Sequence, residues 1–148
     1  MSASALRRSD RPRRRALIVE DDGAVLEVLA IAFEDAGLEV EHASTCEAMT
    51  RAIRKNAPDV VIVDRHLPDG DGWQTVARLR ERAPRPDLVV IAITSHLALS
   101  NAERALLAGC EAYLEKPLEP QAVVDEALRL LSRKEPKTTT RRKRVRDT

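Results

Sequence analysis

Aromatic residues and cysteines are scarce in this sequence of 148 residues. Phe33, Trp73 and Tyr113 are the only aromatic residues, so a hydrophobic core must be built mainly from Ala, Val, Leu and Ile. The two cysteines, Cys46 and Cys110, have no metal-ligand spacing and are too few for a disulfide framework. We therefore expect two free thiols in a reducing compartment.

Long apolar runs are also missing. No run approaches the roughly 18 residues that a membrane span needs, and the arginine-rich N-terminus is not followed by an apolar stretch typical of a signal peptide. We expect a cytoplasmic protein with no membrane association. A chain of this length fits one domain with a single core, and leaves no room for a second domain of ordinary size.

Charge is divided along the chain although the formal net charge is only +1. Residues 1–15 contain six arginines and one aspartate, and residues 133–148 contain eight basic and two acidic residues. Residues 16–132 hold 11 basic and 21 acidic residues, a net charge of −10. The low hydrophobicity and high charge of the ends predict flexible basic tails, 1–15 and 133–148, around an acidic domain, 16–132.

Short apolar runs alternate with helical patterns through that domain. Strands are predicted at Ala16–Val19, Leu38–Ala43, Val60–Val63, Leu88–Ile93 and Ala112–Leu114, and the first and third of these are predicted to be buried. Helices are predicted from Gly23 to about Ala36, from about Thr45 with Ser44 as N-cap, over Trp73–Arg82, over Ser100–Ala108 and over Pro120–Leu131. Strict strand–helix alternation indicates an α/β fold with parallel strands and helices on both faces.

Charged and hydroxyl side chains follow the predicted strand ends. They are Glu20, Asp21, Asp64, Thr94 and Lys116. Sites in open α/β sheets lie beyond the carboxyl ends of the strands, so we expect these residues to converge at one edge. Crowded carboxylates repel one another, and Mg²⁺ prefers oxygen ligands of this kind.

Such a site favours phosphoryl transfer to Asp64. With Mg²⁺ and the Lys116 ammonium withdrawing negative charge, the Asp64 carboxylate can attack a phosphoryl group and form an aspartyl phosphate. The new charge would draw in the Thr94 hydroxyl and let Tyr113 rotate into the vacated space.

Five motifs together resemble the response-regulator receiver family over residues 15–132. They are Leu17-Ile18-Val19-Glu20-Asp21-Asp22, Val63-Asp64-Arg65-His66-Leu67-Pro68, Asp71-Gly72, Thr94-Ser95 and Tyr113-Leu114-Glu115-Lys116-Pro117. The resemblance implies a flavodoxin-like, doubly wound five-stranded parallel sheet of order 2-1-3-4-5 with five helices. It implies metal contacts from Asp21, Asp64 and the His66 backbone carbonyl, with Glu20 acting through water.

The resemblance also implies partners and variable positions. A histidine kinase or histidine phosphotransfer protein would phosphorylate Asp64, and a downstream protein effector would bind the face of the fourth helix, fifth strand and fifth helix, where Tyr113 lies. The resemblance also implies that the phosphorylated protein could form a homodimer. The side chains of His66 and His96 would flank the hydrolytic water, and our hypothesis is that they set the phosphate lifetime.

Alternative functions remain beside a stand-alone regulator. The basic tails could bind nucleic acid, although they lack aromatic residues for stacking and a helix-turn-helix pattern. A non-phosphorylated receiver-like interaction module would be expected to lack some of the acidic, Thr and Lys residues. An aspartate-nucleophile phosphohydrolase needs a second aspartate where His66 stands, so we expect no enzyme beyond phosphotransfer and autodephosphorylation. A glycine-rich dinucleotide fingerprint is absent after the first strand.

Overall fold

The computed structural model of the chain describes residues 13–95, 98–107 and 109–134. Five strands form its main sheet: β1 (Arg15–Val19), β2 (Glu39–Ala43), β3 (Val60–Asp64), β4 (Val89–Thr94) and β5 (Ala112–Glu115). Five helices accompany them: α1 (Gly23–Asp35), α2 (Cys46–Asn56), α3 (Gly72–Arg82), α4 (Asn101–Leu107) and α5 (Pro120–Lys134). Of the predicted tails, residues 1–12 and 135–148 lie outside the described part.

All neighbouring strands of the sheet are parallel, in the order β2-β1-β3-β4-β5. The predicted α/β fold and strand order are therefore confirmed. Because β3 is flanked on both sides and covered on both faces, all five of its residues are buried, and the same holds for the six residues of β4. These two strands lie inside the sheet, and both end in polar residues, Asp64 and Thr94.

Aliphatic side chains pack on both faces of the sheet. One core lies under α1 and α5 and includes Phe33, while the other lies under α2, α3 and α4 and includes Trp73. The scarcity of aromatic residues predicted this composition. Cys46 and Cys110 are both free thiols, as expected.

Helix starts and stops follow local chemistry. α1 is capped by Asp22, whose carboxylate accepts hydrogen bonds from the backbone N–H groups of Ala24 and Val25, and it ends before Gly37, which has φ +96°. The predicted N-cap of α2, Ser44, is wrong by one residue. The Thr45 hydroxyl accepts from the N–H of Ala48 instead, because the helix begins at Cys46 and a cap reaches the third helical residue.

Two further features concern the surface. Val28 on α1 is 48% exposed, whereas Leu29 and Phe33 form the buried face of that helix. The loop after β3 contains a two-stranded antiparallel ribbon, His66–Leu67 with Gly70–Asp71. None of the helices in the described part of the chain is long and apolar enough to cross a membrane.

Candidate functional site

Carboxylates leave β1 at the edge of the sheet. Glu20 follows the last strand residue and its backbone N–H donates to the carbonyl of Ala43 at 3.0 Å, which extends the pairing with β2 by one step. Glu20 is only 1% exposed, whereas the next residue, Asp21, is exposed. Asp22 then starts α1 as its N-cap. Each of three consecutive acidic residues therefore has a different environment.

Asp64 ends β3 at the same edge and is 7% exposed. Its Oδ1 accepts a hydrogen bond from the backbone N–H of Arg65 at 2.9 Å, which fixes the rotation of the carboxylate. The first residue of α3, Gly72, approaches so closely that a Cβ built there would lie 2.2 Å from the Asp64 carbonyl oxygen. The start of α3 is thus packed directly against the backbone of Asp64.

Lys116 brings a positive charge to these acids from the residue after β5. Its backbone N–H donates to the Thr94 carbonyl at 2.9 Å, and the Lys116–Pro117 peptide bond is cis. The Lys116 Nζ lies 3.2 Å from Glu20 Oε1 and 3.3 Å from Asp64 Oδ2. One ammonium therefore joins carboxylates that are 44 residues apart in the chain.

The pKa values of Glu20 and Lys116 are both raised by their surroundings in this cluster. Burial raises the pKa of Glu20, the charge of Asp64 raises it further, and the backbone N–H of Asp22 and the Lys116 ammonium only partly offset this. Burial alone would lower the pKa of Lys116, but the hydrogen bonds and attraction from Glu20 and Asp64 outweigh it and raise the pKa. The lysine is thus held in its charged form beside a surplus of negative charge.

A divalent cation fits this surplus. Ligand oxygens of Glu20, Asp21 and Asp64 lie within 4.8 Å of one another. Glu20 Oε1 is buried and accepts no hydrogen bond within the described ranges, and the Lys116 ammonium 3.2 Å away offsets only its charge. A buried oxygen without a hydrogen bond is costly, and a water bound to a hard cation would supply one. Oxygen-only ligands with one carboxylate open to solvent match Mg²⁺, which keeps several of its waters.

Comparison with known proteins bears on this geometry. The profile of the family described as "Response regulator receiver domain" matches residues 16–128, most of the chain. The chain belongs to the response regulator receiver domain family. The sequence-based assignment to this family is confirmed.

Curated relatives of this receiver domain are longer proteins. It is 35% identical over 115 residues to the photosynthetic apparatus regulatory protein RegA of Rhodobacter capsulatus, covering 78% of this chain and 61% of that protein. It is 37% identical over 116 residues to the KDP operon transcriptional regulatory protein KdpE of Escherichia coli, covering 76% and 50%. The chain thus spans between half and two thirds of the length of these relatives.

Solved structures share the fold. A CheY-like response regulator receiver domain protein of Methanospirillum hungatei aligns with a TM-score of 0.74 at 30% identity, covering 82% of this chain and 96% of that one. A putative response regulator of Chloroflexus aurantiacus aligns with a TM-score of 0.72 at 35% identity, covering 82% and 99%. The CheY-like, flavodoxin-like architecture of this receiver domain is thereby shown.

The other predicted site residues are placed less centrally. Thr94 is 4% exposed at the end of β4, on the same edge as Asp64. Tyr113 is 44% exposed on β5, and it pairs in register with Ala92 rather than lying at the edge itself. His66 is exposed two residues after Asp64. His96 lies outside the described residues, so its predicted part in phosphate lifetime stays a prediction.

Sequence reasoning missed a network beside Asp64. The Arg65 Nε donates to Asp71 Oδ2 at 3.0 Å, its Nη1 donates to Glu103 Oε2, and its guanidinium lies 4.9 Å above the Trp73 ring. Glu103 also forms a reciprocal cap with Ser100. The Glu103 Oε1 accepts from the Ser100 N–H, and the Ser100 Oγ accepts from the Glu103 N–H. The Ser-x-x-Glu spacing before α4 is the sequence signal that indicates this capping box.

Proposed function

We propose that this receiver domain is the phospho-acceptor of a two-component signalling pathway, and that Asp64 takes a phosphoryl group in a Mg²⁺-dependent step. The observation that carries the proposal is the position of the Lys116 ammonium, 3.3 Å from Asp64 Oδ2, beside three carboxylates with oxygens within 4.8 Å of one another. An acceptor, a counter-charge and a set of oxygen ligands are the parts that phosphoryl transfer requires.

The two carboxylate oxygens of Asp64 have different surroundings. Oδ1 accepts from the backbone N–H of Arg65, whereas Oδ2 faces the ammonium of Lys116. A carboxylate oxygen attacks the phosphorus, the new O–P bond forms, and the bond from phosphorus to the donor's imidazole nitrogen breaks in line. Lys116 then pairs with the phosphoryl oxygens, which carry more charge than the carboxylate did.

Asp21, Asp64 and the backbone carbonyl of His66 would hold Mg²⁺, with Glu20 acting through water. When bound, the ion supplies charge neutralisation for the transferring phosphoryl group. Glu20 keeps Lys116 on this side of the edge, because it contacts the Nζ at 3.2 Å while almost fully buried. Glu20 thereby acts as a positioning residue for the ammonium.

Signal output follows from the neighbouring strands. The phosphoryl oxygens draw the Thr94 hydroxyl towards Asp64, and Tyr113, now 44% exposed, turns inward as the space opens. The surface of α4, β5 and α5 changes with it and binds the downstream effector or a second phosphorylated copy. The histidines His66 and His96 set how long the phosphate survives.

The partners that we propose are a histidine kinase or histidine phosphotransfer protein as donor and a protein effector as target. Nucleic acid contact through the basic ends of the sequence is the second candidate, because residues 133–148 carry eight basic and two acidic residues. Such contact weakens steeply with salt, so a salt series with the full chain separates it from protein output. We propose no catalytic activity beyond phosphotransfer and autodephosphorylation, and a location in the cytoplasm.

Acetyl phosphate labelled with ³²P tests the acceptor. We expect Mg²⁺-dependent labelling of the parent and none of Asp64→Asn, while Asp35→Asn, an exposed aspartate at the end of α1, labels like the parent. Asp21→Asn should raise the Mg²⁺ concentration needed for half-maximal labelling. The fluorescence of Trp73, the only tryptophan, provides a second readout of ion binding.

Labelling of Asp64→Asn at the parent's rate would refute the proposal that Asp64 is the acceptor. Labelling of the parent that persists in chelator at an undiminished rate would refute the part played by Mg²⁺.

A further inference from the structure

Basic residues of the acidic domain gather on one side of the molecule. Residues 16–132 contain 11 of them, and seven lie on α2, on α3 or in the loop after α3. The last turns of both helices are basic, with Arg54 and Lys55 on α2 and Arg80 and Arg82 on α3. Such residues also favour the helix ends themselves, so the cluster alone does not define a binding surface.

A groove lies between the ends of α2 and α3, and several of these basic residues line it. It has a volume of about 270 Å³. Aliphatic side chains line it, including Ile53, Leu79 and Leu88, and its rim is formed by Arg54, Arg80, Arg82 and Arg85. We call this the α2–α3 groove. Its combination of apolar floor and cationic rim fits an acidic helix that carries exposed apolar side chains.

The rim arginines are of two kinds. Arg80 and Arg85 are tied to backbone carbonyls, Arg80 to Leu88 at 2.8 Å and Arg85 to Pro58 at 3.0 Å. Arg54 and Arg82 are exposed, and neither has an ion-pair or hydrogen-bond partner for its side chain within residues 13–95, 98–107 and 109–134. The first pair therefore holds the groove together, while the second pair is available to a partner.

The outer face of α1 has the complementary chemistry. Val28 and Ile31 are 48% and 51% exposed, and they lie three residues apart on one side of the helix. Glu27, Glu34 and Asp35 are exposed on the same side, and α1 contains no basic residue. Isolated exposed apolar side chains are ordinary, but two that are framed by acids match an apolar groove framed by arginines.

We propose that a second copy of this chain occupies the α2–α3 groove with the outer face of its α1. The groove and the face of α1 are different surfaces, so the contact is head-to-tail. Each linear oligomer therefore has one free groove at one end and one free α1 face at the other. One helix face in one groove buries less than a standard interface, so the association is weak and depends on concentration and salt.

The groove side of this contact lies away from Asp64, whereas Val28 on the α1 side lines a cavity together with Lys116. Helices α2 and α3 end where β3 and β4 begin, because each helix runs back along the sheet before the next strand starts. The groove thus lies at the edge opposite to Asp64. Self-association through it does not depend on phosphorylation, and Asp64→Asn should associate like the parent.

Paired charge reversals test the proposal on the full chain by sedimentation velocity at low salt, from about 10 μM to about 1 mM, the range for a weak interface. Arg54→Glu with Arg82→Glu reverses the two rim charges that are open to a partner, and Glu27→Lys with Glu34→Lys reverses two of the three acids on the outer face of α1. Each double variant alone should associate at least about tenfold more weakly than the parent. An equimolar mixture should recover association, since the two glutamates in one variant's groove then meet the two lysines on the other variant's α1.

Two further variants keep the result specific. Arg104→Glu with Arg133→Glu makes the same change in net charge at exposed sites on α4 and α5, and should associate like the parent. Val28→Ser with Ile31→Ser leaves all charges in place and should weaken association. Circular dichroism of each variant establishes that it is folded.

Several outcomes would overturn the proposal. The proposal that a second copy occupies the groove is wrong if the parent stays monomeric at every concentration. It is also wrong if the mixture of the two double variants fails to recover association. If the charge reversal on α1 weakens association but the charge reversal in the groove does not, the basic ends of the chain bind α1 instead. If the parent is monomeric but its groove amides shift in NMR spectra with a synthetic helical peptide of Leu and Glu, the groove receives a foreign acidic helix.

Discussion

Replacing Gly72 with alanine should push the start of α3 away from strand β3. The added Cβ would stand 2.2 Å from the Asp64 carbonyl oxygen, 3.0 Å from Val63 Cγ2 and 3.1 Å from Leu67 Cδ1, whereas ordinary contacts begin at 3.4 Å. The nearest of these atoms belongs to the backbone, so relief requires a shift of about 1 Å between a helix and a fully buried strand.

The magnitude follows from two opposing effects. Overpacking of a close-packed interior costs about 1–3 kcal/mol, while alanine in place of glycine in a helix recovers up to about 1 kcal/mol. We expect Gly72→Ala to lower the free energy of unfolding by about 1–2 kcal/mol on this balance. Because the displaced carbonyl belongs to Asp64 itself, phosphorylation by acetyl phosphate should slow as well.

Gly23 provides a matched control. Like Gly72 it is the first residue of a helix and follows an aspartate N-cap, but a Cβ built there meets nothing within 4 Å. Gly23→Ala should therefore be neutral or stabilise by up to about 1 kcal/mol, since alanine also restricts the unfolded chain. Urea unfolding of both variants measures the difference, and equal stabilities for the two would refute the steric argument.

Two other substitutions address the loop and the network next to Asp64. Hydrogen bonds from the first two N–H groups of α2 lower the pKa of Asp69 from its ordinary value of 3.8, so its contribution to stability is present above that value and is lost as the pH falls through the depressed pKa. Thermal unfolding should show Asp69→Asn less stable than the parent at pH 7, and a gap that persists unchanged at pH 2–3 would contradict this reasoning. Arg65→Gln should lower the free energy of unfolding by about 1–2 kcal/mol, because it removes a partly buried ion pair with Glu103, and should alter tryptophan fluorescence. Arg129→Gln removes a more exposed pair and should cost at most about 0.5 kcal/mol; similar losses for both would count against the network.

The fold could be predicted from the sequence because its signals are local and repeated. Val60–Val63 is uniformly apolar and short, and a strand covered on both faces requires that pattern. Strand ends mark the site for the same reason: once the strands are parallel, Glu20, Asp64 and Lys116 have to meet at one edge. The structure brings the Lys116 ammonium within 3.4 Å of both acids.

Other features depend on contacts that no local pattern specifies. The exposure of Val28 is decided by which side of α1 meets the sheet, and an apolar stripe on this largely apolar helix leaves that open. The sequence shows Arg65 only as part of a motif, whereas its packing depends on Asp71, Trp73 and Glu103, which lie on two different helices or their caps. A single sequence does not show which side chains from different elements contact one another.

Glu103 limits how this receiver domain can vary. One of its carboxylate oxygens caps the first turn of α4, and the other pairs with Arg65, the residue after Asp64. Glutamine would retain the cap but lose the opposite charge, and aspartate is one methylene shorter than the side chain that spans both partners. The beginning of α4 and the residue after β3 therefore share a single side chain, so any substitution of Glu103 alters both contacts at once.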